Sequence, residues 1–102
     1  MPDDVKDVFG AALLDAQYGD HPEGARRFGE GIAREVMKLV EDHDGSTYRL
    51  AYTATMPGAV YVLHAFQKKS KKGNATPRRE KELIRARLKA AKDHHAKHYG
   101  GA

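Results

Sequence analysis

Cysteine is absent from the chain. Without it there is no disulfide framework, no thiolate nucleophile and no cysteine-bound zinc, and the composition suits a reducing compartment, so the cytosol is the expected location. No apolar run approaches the roughly 18–20 residues a membrane-spanning helix needs. The opening Met1-Pro2-Asp3-Asp4 is acidic where an export signal is basic and then apolar. Neither insertion nor export is expected. Several enzyme signatures are also missing: a glycine-rich phosphate loop, a nucleophile elbow, and a carboxylate pair of the glycosidase type. Gly29-Glu30-Gly31 is too short to count as a motif. The classes that remain are chemistry driven by cations and plain binding.

Positive charge is plentiful and unevenly placed. The net charge is +4, but the first 66 residues hold 6 Lys/Arg against 11 Asp/Glu, and the last 36 hold 12 Lys/Arg against Glu80, Glu82 and Asp93. A concentrated positive field attracts polyanions and speeds encounter with them, and nucleic acid is the commonest polyanion in the cytosol. With 102 residues the chain supports one modest core, so residues 1–102 are expected to form a single domain.

From Pro2 to Tyr18, Val5, Val8, Phe9, Ala12, Leu13 and Ala16 recur every three or four residues, which predicts an amphipathic helix. Asp3, Asp4 and Asp7 favour its positive end, and Gly19 is placed to stop it. A short second helix is expected over Pro22–Phe28. Ile32–Asp42, with Val36-Met37-Lys38-Leu39-Val40, predicts a strand closed by His43-Asp44-Gly45-Ser46. Tyr48–Thr55 and Ala59–Lys68 predict two more, joined by Met56-Pro57-Gly58 and paired antiparallel. Thr76-Pro77 has the form of an N-cap with proline at the first helical position. It opens a basic helix that Gly100-Gly101 ends. The expected fold is α+β: N-terminal helices, a small antiparallel sheet and a C-terminal basic helix.

The strongest local feature is Phe66-Gln67-Lys68-Lys69-Ser70-Lys71-Lys72, four lysines in five residues where a strand runs into a loop. Such a run is often only solvated. Strand alternation, however, sends Lys68 and His64 to one face and Lys69 and Gln67 to the other, so a lysine must lie on the sheet. Arg49 stands on the neighbouring strand between Tyr48 and Leu50 and reaches the same surface in the right register. The plainer role for it is an ion pair with Glu35 or Glu41. His94 and His98 are four residues apart, but no carboxylate or cysteine completes a ligand set, so no metal is expected. His95 is expected to do no more than favour the helix C-terminus, and His64 to be a half-buried strand residue.

Tyr48-Arg49-Leu50-Ala51-Tyr52, then Tyr61-Val62-Leu63-His64-Ala65-Phe66-Gln67-Lys68-Lys69-Ser70, then Thr76-Pro77 opening a basic helix, together resemble the phage-derived, HigB-like branch of the RelE/ParE toxin superfamily. The similarity runs from about Pro2 to about His94. Members of that branch carry an additional strand before the first helix, whereas this chain begins at the helix, so an uncovered sheet edge is expected.

The resemblance implies a RelE-like fold and the toxin of a type II toxin–antitoxin pair. Its activity would be that of a ribosome-dependent mRNA endonuclease without metal or other cofactor, held inactive by a helix-turn-helix, HigA-like antitoxin. Cleavage by the internal 2′-hydroxyl leaves a 2′,3′-cyclic phosphate and a 5′-hydroxyl. It requires a base for the 2′-hydroxyl, stabilisation of an anionic phosphorane and an acid for the 5′-oxygen. The residues that match are Lys68 or Lys69 as base, Arg49 on the phosphate, and Tyr99, His94 or a second lysine as acid. Lys71, Lys72, Arg78, Arg79 and Arg85 would bind RNA. The expected partners are mRNA, the ribosome and the antitoxin, with self-association or hetero-oligomers open and no membrane. Two alternatives stand beside this one: a ParE-like gyrase poison on the same fold, and a non-catalytic nucleic-acid-binding or regulatory module.

Overall fold

A computed structural model describes residues 1–68 and 75–98. Helix α1 spans Asp3–Gln17 and strands follow at β1 Arg26–Arg27, β2 Met37–His43, β3 Ser46–Thr53 and β4 Tyr61–Lys68, before helix α2 at Arg78–His98. The strands form one antiparallel sheet in the order β1-β2-β3-β4. The architecture is α+β and compatible with a RelE-like fold. No helix among the described residues is long and apolar enough to cross a membrane.

Side-chain alternation divides the sheet into two apolar faces. Leu39, Leu50 and Tyr52 point to one side and pack against Val5, Phe9 and Ala16 of α1. Ala51, Leu63 and Phe66 point to the other and pack against Ile84, Leu88 and Ala91 of α2, together with Phe28, Ile32 and Val36. Each helix therefore covers one face, as its three-and-four spacing requires. Helix α1 ends in a Schellman arrangement: Gly19 turns at φ +85°, its N–H bonds the Ala16 carbonyl, and the Asp20 N–H bonds that of Asp15. Strands β2 and β3 meet at Asp44-Gly45, both at positive φ, which is the twist a two-residue hairpin turn needs.

Three expectations change. Pro22–Phe28 is not a helix but a turn followed by β1, because Gly24 and Gly29 take positive φ on either side of it. Arg26 and Arg27 pair with Lys38 and Met37, and the Phe28 N–H continues to the Val36 carbonyl at 2.9 Å. The strand expected from Ile32 begins only at Met37, since residues 32–36 run through tight bonds such as Ile32 N–H to Gly29 and Val36 N–H to Ala33. Thr76 does not cap α2. The first carbonyl to receive helical N–H groups is that of Pro77, from Glu80 and Lys81, and the Thr76 hydroxyl is used elsewhere.

A bulge in β4 shapes the α2 side. Ala51 pairs with His64 and Tyr52 with Val62, so Leu63 is an extra residue, and Leu63 and His64 both reach the α2 face. Arg87 occupies the irregularity: one Nη1 donates to the Leu63 carbonyl at 3.1 Å and to His64 Nδ1 at 3.0 Å. Because a guanidinium only donates, His64 Nδ1 is the acceptor and its Nε2–H donates to Glu80 at 2.6 Å. His64 is half-buried, stacked on Phe66, and it fastens α2 to the sheet.

Candidate functional site

The register assembles a cluster of cations on the α2 side of the sheet, reaching Lys68 at the end of β4. Arg49 faces Val40 on β2 and Phe66 on β4; one row away Lys38 faces Arg26 and Ala51, and one row the other way Lys68 faces Thr47. Paired residues in an antiparallel sheet share a face, so Arg26, Lys38, Arg49 and Lys68 stand on one surface.

Arg49 is 5 % exposed, although arginine is seldom buried. Its Nη1 donates to the Thr76 hydroxyl at 3.0 Å and lies 3.8 Å from Glu30 Oε2. Glu30 in turn accepts from the Thr76 backbone N–H and, at 2.9 Å, from the Thr76 hydroxyl. Glu30 sits at φ +55° between Gly29 and Gly31, a left-handed turn that aims its carboxylate back at the sheet. The partner expected for Arg49, Glu35 or Glu41, is replaced by Glu30. Glu35 pairs instead with Lys92 at 3.2 Å, and Glu41 faces Tyr48 in the ladder. The Arg49 Nε is buried with no hydrogen-bond partner among the described residues. A buried donor without a partner is costly, which sets Arg49 apart from an ordinary structural arginine.

Electrostatics follow this crowding. Burial is the largest influence on Lys38 and lowers its pKa. Arg49, Arg26 and Lys68 lower it further, against the single opposing charge of Glu30. Lys68, 7 % exposed, is lowered by desolvation and Arg49 and partly restored by Glu30. For Glu30, burial pulls the pKa upward, but the Thr76 bonds and the charges of Lys38 and Arg49 outweigh it, and the carboxyl lies below its ordinary 4.5.

Of the residues singled out in the sequence, Arg49 and Lys68 come together here. Lys69, Lys71, Lys72 and Tyr99 lie outside the described residues. His94 is elsewhere: it shares a 2.9 Å hydrogen bond with the Tyr61 hydroxyl, and Tyr61 is at the opposite end of β4 from Lys68. Eight strand residues put roughly 20 Å between those ends. His94 also stacks on His98 at 4.1 Å, and His95 donates to the Pro57 carbonyl at 2.8 Å, so this end of α2 holds the β3–β4 loop. Arg78 and Arg79 are exposed on the first turn of α2, Arg78 within 3.1 Å of Glu82, and Arg85 donates to the Gly31 carbonyl at 3.2 Å. Lys38, Arg26 and Glu30 were missed. The signal for Lys38 was a lone lysine inside Val36-Met37-Lys38-Leu39-Val40, the same oddity that drew attention to Arg49. Two concavities open at the end of α1, one against residues 54–60 and one against Arg34, Glu35, Met37 and Tyr52, and neither is lined by Arg26, Lys38, Arg49 or Lys68.

The fold and site thus define a small α+β protein with a helix on each sheet face and a cationic cluster around one buried arginine. A family profile described as "Phage derived protein Gp49-like (DUF891)" matches residues 1–89, and the chain belongs to that family. Searches of curated proteins and of solved structures found no match.

Proposed function

We propose that this chain is the toxin of a type II toxin–antitoxin pair, in the HigB-like branch of the RelE/ParE superfamily, and that it cuts mRNA on the ribosome without a metal. The observation that carries the reading is the buried Arg49, with its Nε unsatisfied and Lys38, Lys68 and Arg26 on the same sheet face. That arrangement suits a phosphodiester in three respects. Arg49 places a fixed positive charge at the centre of the cluster, the surrounding cations stabilise the extra negative charge of a phosphorane, and the two lysines supply groups that exchange protons. DNA lacks the 2′-hydroxyl, so the chemistry selects RNA. Membership of a phage-derived family and the strongly basic α2 agree with this reading. The partner that silences the toxin would be a helix-turn-helix antitoxin.

The test is induced expression in a bacterial host with mRNA 5′ ends mapped across translated messages. Growth arrest with new cuts, both lost in Arg49→Ala at equal protein level, is the expected result. Arrest without cuts would favour a gyrase poison, and no arrest would favour a binding module.

A further inference from the structure

We propose that Glu30 and Thr76 are positioning residues for that cleavage: the carboxylate holds the Thr76 hydroxyl, and the hydroxyl fixes the Arg49 guanidinium before RNA arrives. The inference rests on the nuclease reading and deepens it, because the burial of Arg49 alone does not say what aims its charge.

The arrangement differs from an ordinary ion pair. An arginine facing a carboxylate commonly closes on it with two parallel hydrogen bonds, which use up the guanidinium fork. Here Glu30 Oε2 stands 3.8 Å from Arg49 Nη1, too far for a hydrogen bond. Both carboxylate oxygens are turned onto Thr76 instead, Oε1 accepting from its backbone N–H and Oε2 from its hydroxyl at 2.9 Å. The hydroxyl has one hydrogen and gives it to Glu30, so its oxygen presents a lone pair to Arg49 Nη1 at 3.0 Å. Glu30 therefore acts on Arg49 through Thr76. The guanidinium is fixed at one nitrogen, and the carboxylate does not close its fork.

Both partners are themselves held. Glu30 sits at φ +55°, a conformation that residues other than glycine seldom take, between two glycines that also have positive φ. The Ile32 N–H closes that turn on the Gly29 carbonyl at 2.9 Å, and Arg85 of α2 donates to the Gly31 carbonyl at 3.2 Å. A β-carbon on Gly31 would meet the Arg85 guanidinium at 3.4 Å, so the turn and α2 approach closely. Thr76 is buried two residues before α2, and its hydroxyl is spent on the carboxylate and not on a helix cap. Strand β3, the turn at residues 29–31 and the start of α2 thus converge on one guanidinium. A charge that must meet a phosphorane stabilises it best when its direction is set in advance, and this convergence sets it.

Thr76→Val, Thr76→Ser and Glu30→Gln would be compared with the wild-type chain at a temperature where circular dichroism shows each one folded. One measurement is the single-turnover rate of mRNA cutting on translating ribosomes as a function of chain concentration. The other is the nitrogen–proton NMR signal of the Arg49 Nε–H, identified by its loss in Arg49→Lys. Thr76→Val should cut about 10- to 100-fold more slowly at saturation, with the half-saturating concentration within about threefold of wild type, and its Arg49 signal should broaden. Thr76→Ser, which keeps the hydroxyl, should match wild type in rate and signal. Glu30→Gln should fall between, since an amide oxygen accepts only one of the two Thr76 bonds well and brings no charge. A residue that serves folding alone would leave the rate of the folded chain and the Arg49 signal where they are. Thr76→Val cutting within about threefold of wild type at saturation, an unchanged Arg49 signal in it, or a loss confined to the half-saturating concentration would overturn the positioning role alone. If Thr76→Val does not fold, Glu30→Gln decides by the same criteria. A wild-type chain that cuts no message overturns the nuclease reading and the positioning role together.

Discussion

At the scale of single residues, the Arg49–Thr76–Glu30 chain ties the middle of β3 to the start of α2 and to the Gly29–Gly31 turn. Removing only the Thr76 hydroxyl, in Thr76→Val, leaves Arg49 Nη1 without its partner in a buried site and one Glu30 oxygen less well bonded. The expected loss is about 1–3 kcal/mol in urea denaturation. Glu30 carries a pH signature. Its pKa in the folded chain lies below the ordinary 4.5, so it contributes stability that is present above that value and is lost as pH falls through the folded one. Glu30→Gln should therefore be less stable than wild type at pH 7, and the gap should close on acidification below about pH 4.5. Lys38 has the opposite consequence. Its pKa is lowered on folding, so the folded chain disfavours its charge, and at neutral pH that charge works against folding. Lys38→Met should therefore raise the thermal midpoint of unfolding at neutral pH.

At the scale of elements, α1, the β2–β3 hairpin, β4 and α2 were legible because each rests on local signals: apolar spacing, Asp44-Gly45, and proline before a basic amphipathic run. The parts that were not legible are held from far away in sequence. Strand β1 is two residues long and exists through its pairing with β2, too short to show any period. Glu30 matters because of Thr76, 46 residues later, and no local pattern links a carboxylate between two glycines to a threonine before a helix. Thr76-Pro77 had the form of a cap, yet the hydroxyl found a stronger partner in a carboxylate. Arg49 stood out because charge inside a strand is expensive, and Lys68 because alternation puts a lysine of its run on the sheet, so both members of the cationic cluster were legible, whereas their neighbour Lys38 was hidden inside an apolar strand run. The bulge in β4 supplies an element-scale prediction. Arg87 bonds the Leu63 carbonyl and holds His64, so Arg87→Met should cost about 1–2 kcal/mol and loosen α2 over β4. Faster amide exchange at residues 61–65 than in wild type would register it.

At the scale of the whole molecule, the layering separates charge. Residues 1–25 carry six acidic side chains and one basic, whereas 78–98 carry eight basic and three acidic, and the helices they include cover opposite faces of the sheet. RNA would be drawn to the α2 side and repelled from the α1 side, which orients the chain before any specific contact forms. Arg78, Arg79 and Lys89 are exposed on α2 and belong to this outer field, not to the Arg49 cluster. Changing all three to Gln should weaken binding to single-stranded RNA and reduce the slope of log affinity against log salt by about two, with little change in the rate of cutting once RNA is bound.

The central claim, that the cluster around Arg49 drives RNA cleavage by the internal 2′-hydroxyl, is tested most directly by the chemistry of the cut ends. Purified chain would be added to mRNA on translating ribosomes, and the fragments ligated to an adaptor before and after treatment with a polynucleotide kinase. Wild-type fragments should accept the adaptor at the 5′ end only after kinase treatment, showing 5′-hydroxyls, and Arg49→Ala should leave the message intact. Fragments bearing 5′-phosphates, cutting that survives in Arg49→Ala, or an uncut message with wild-type chain would contradict it.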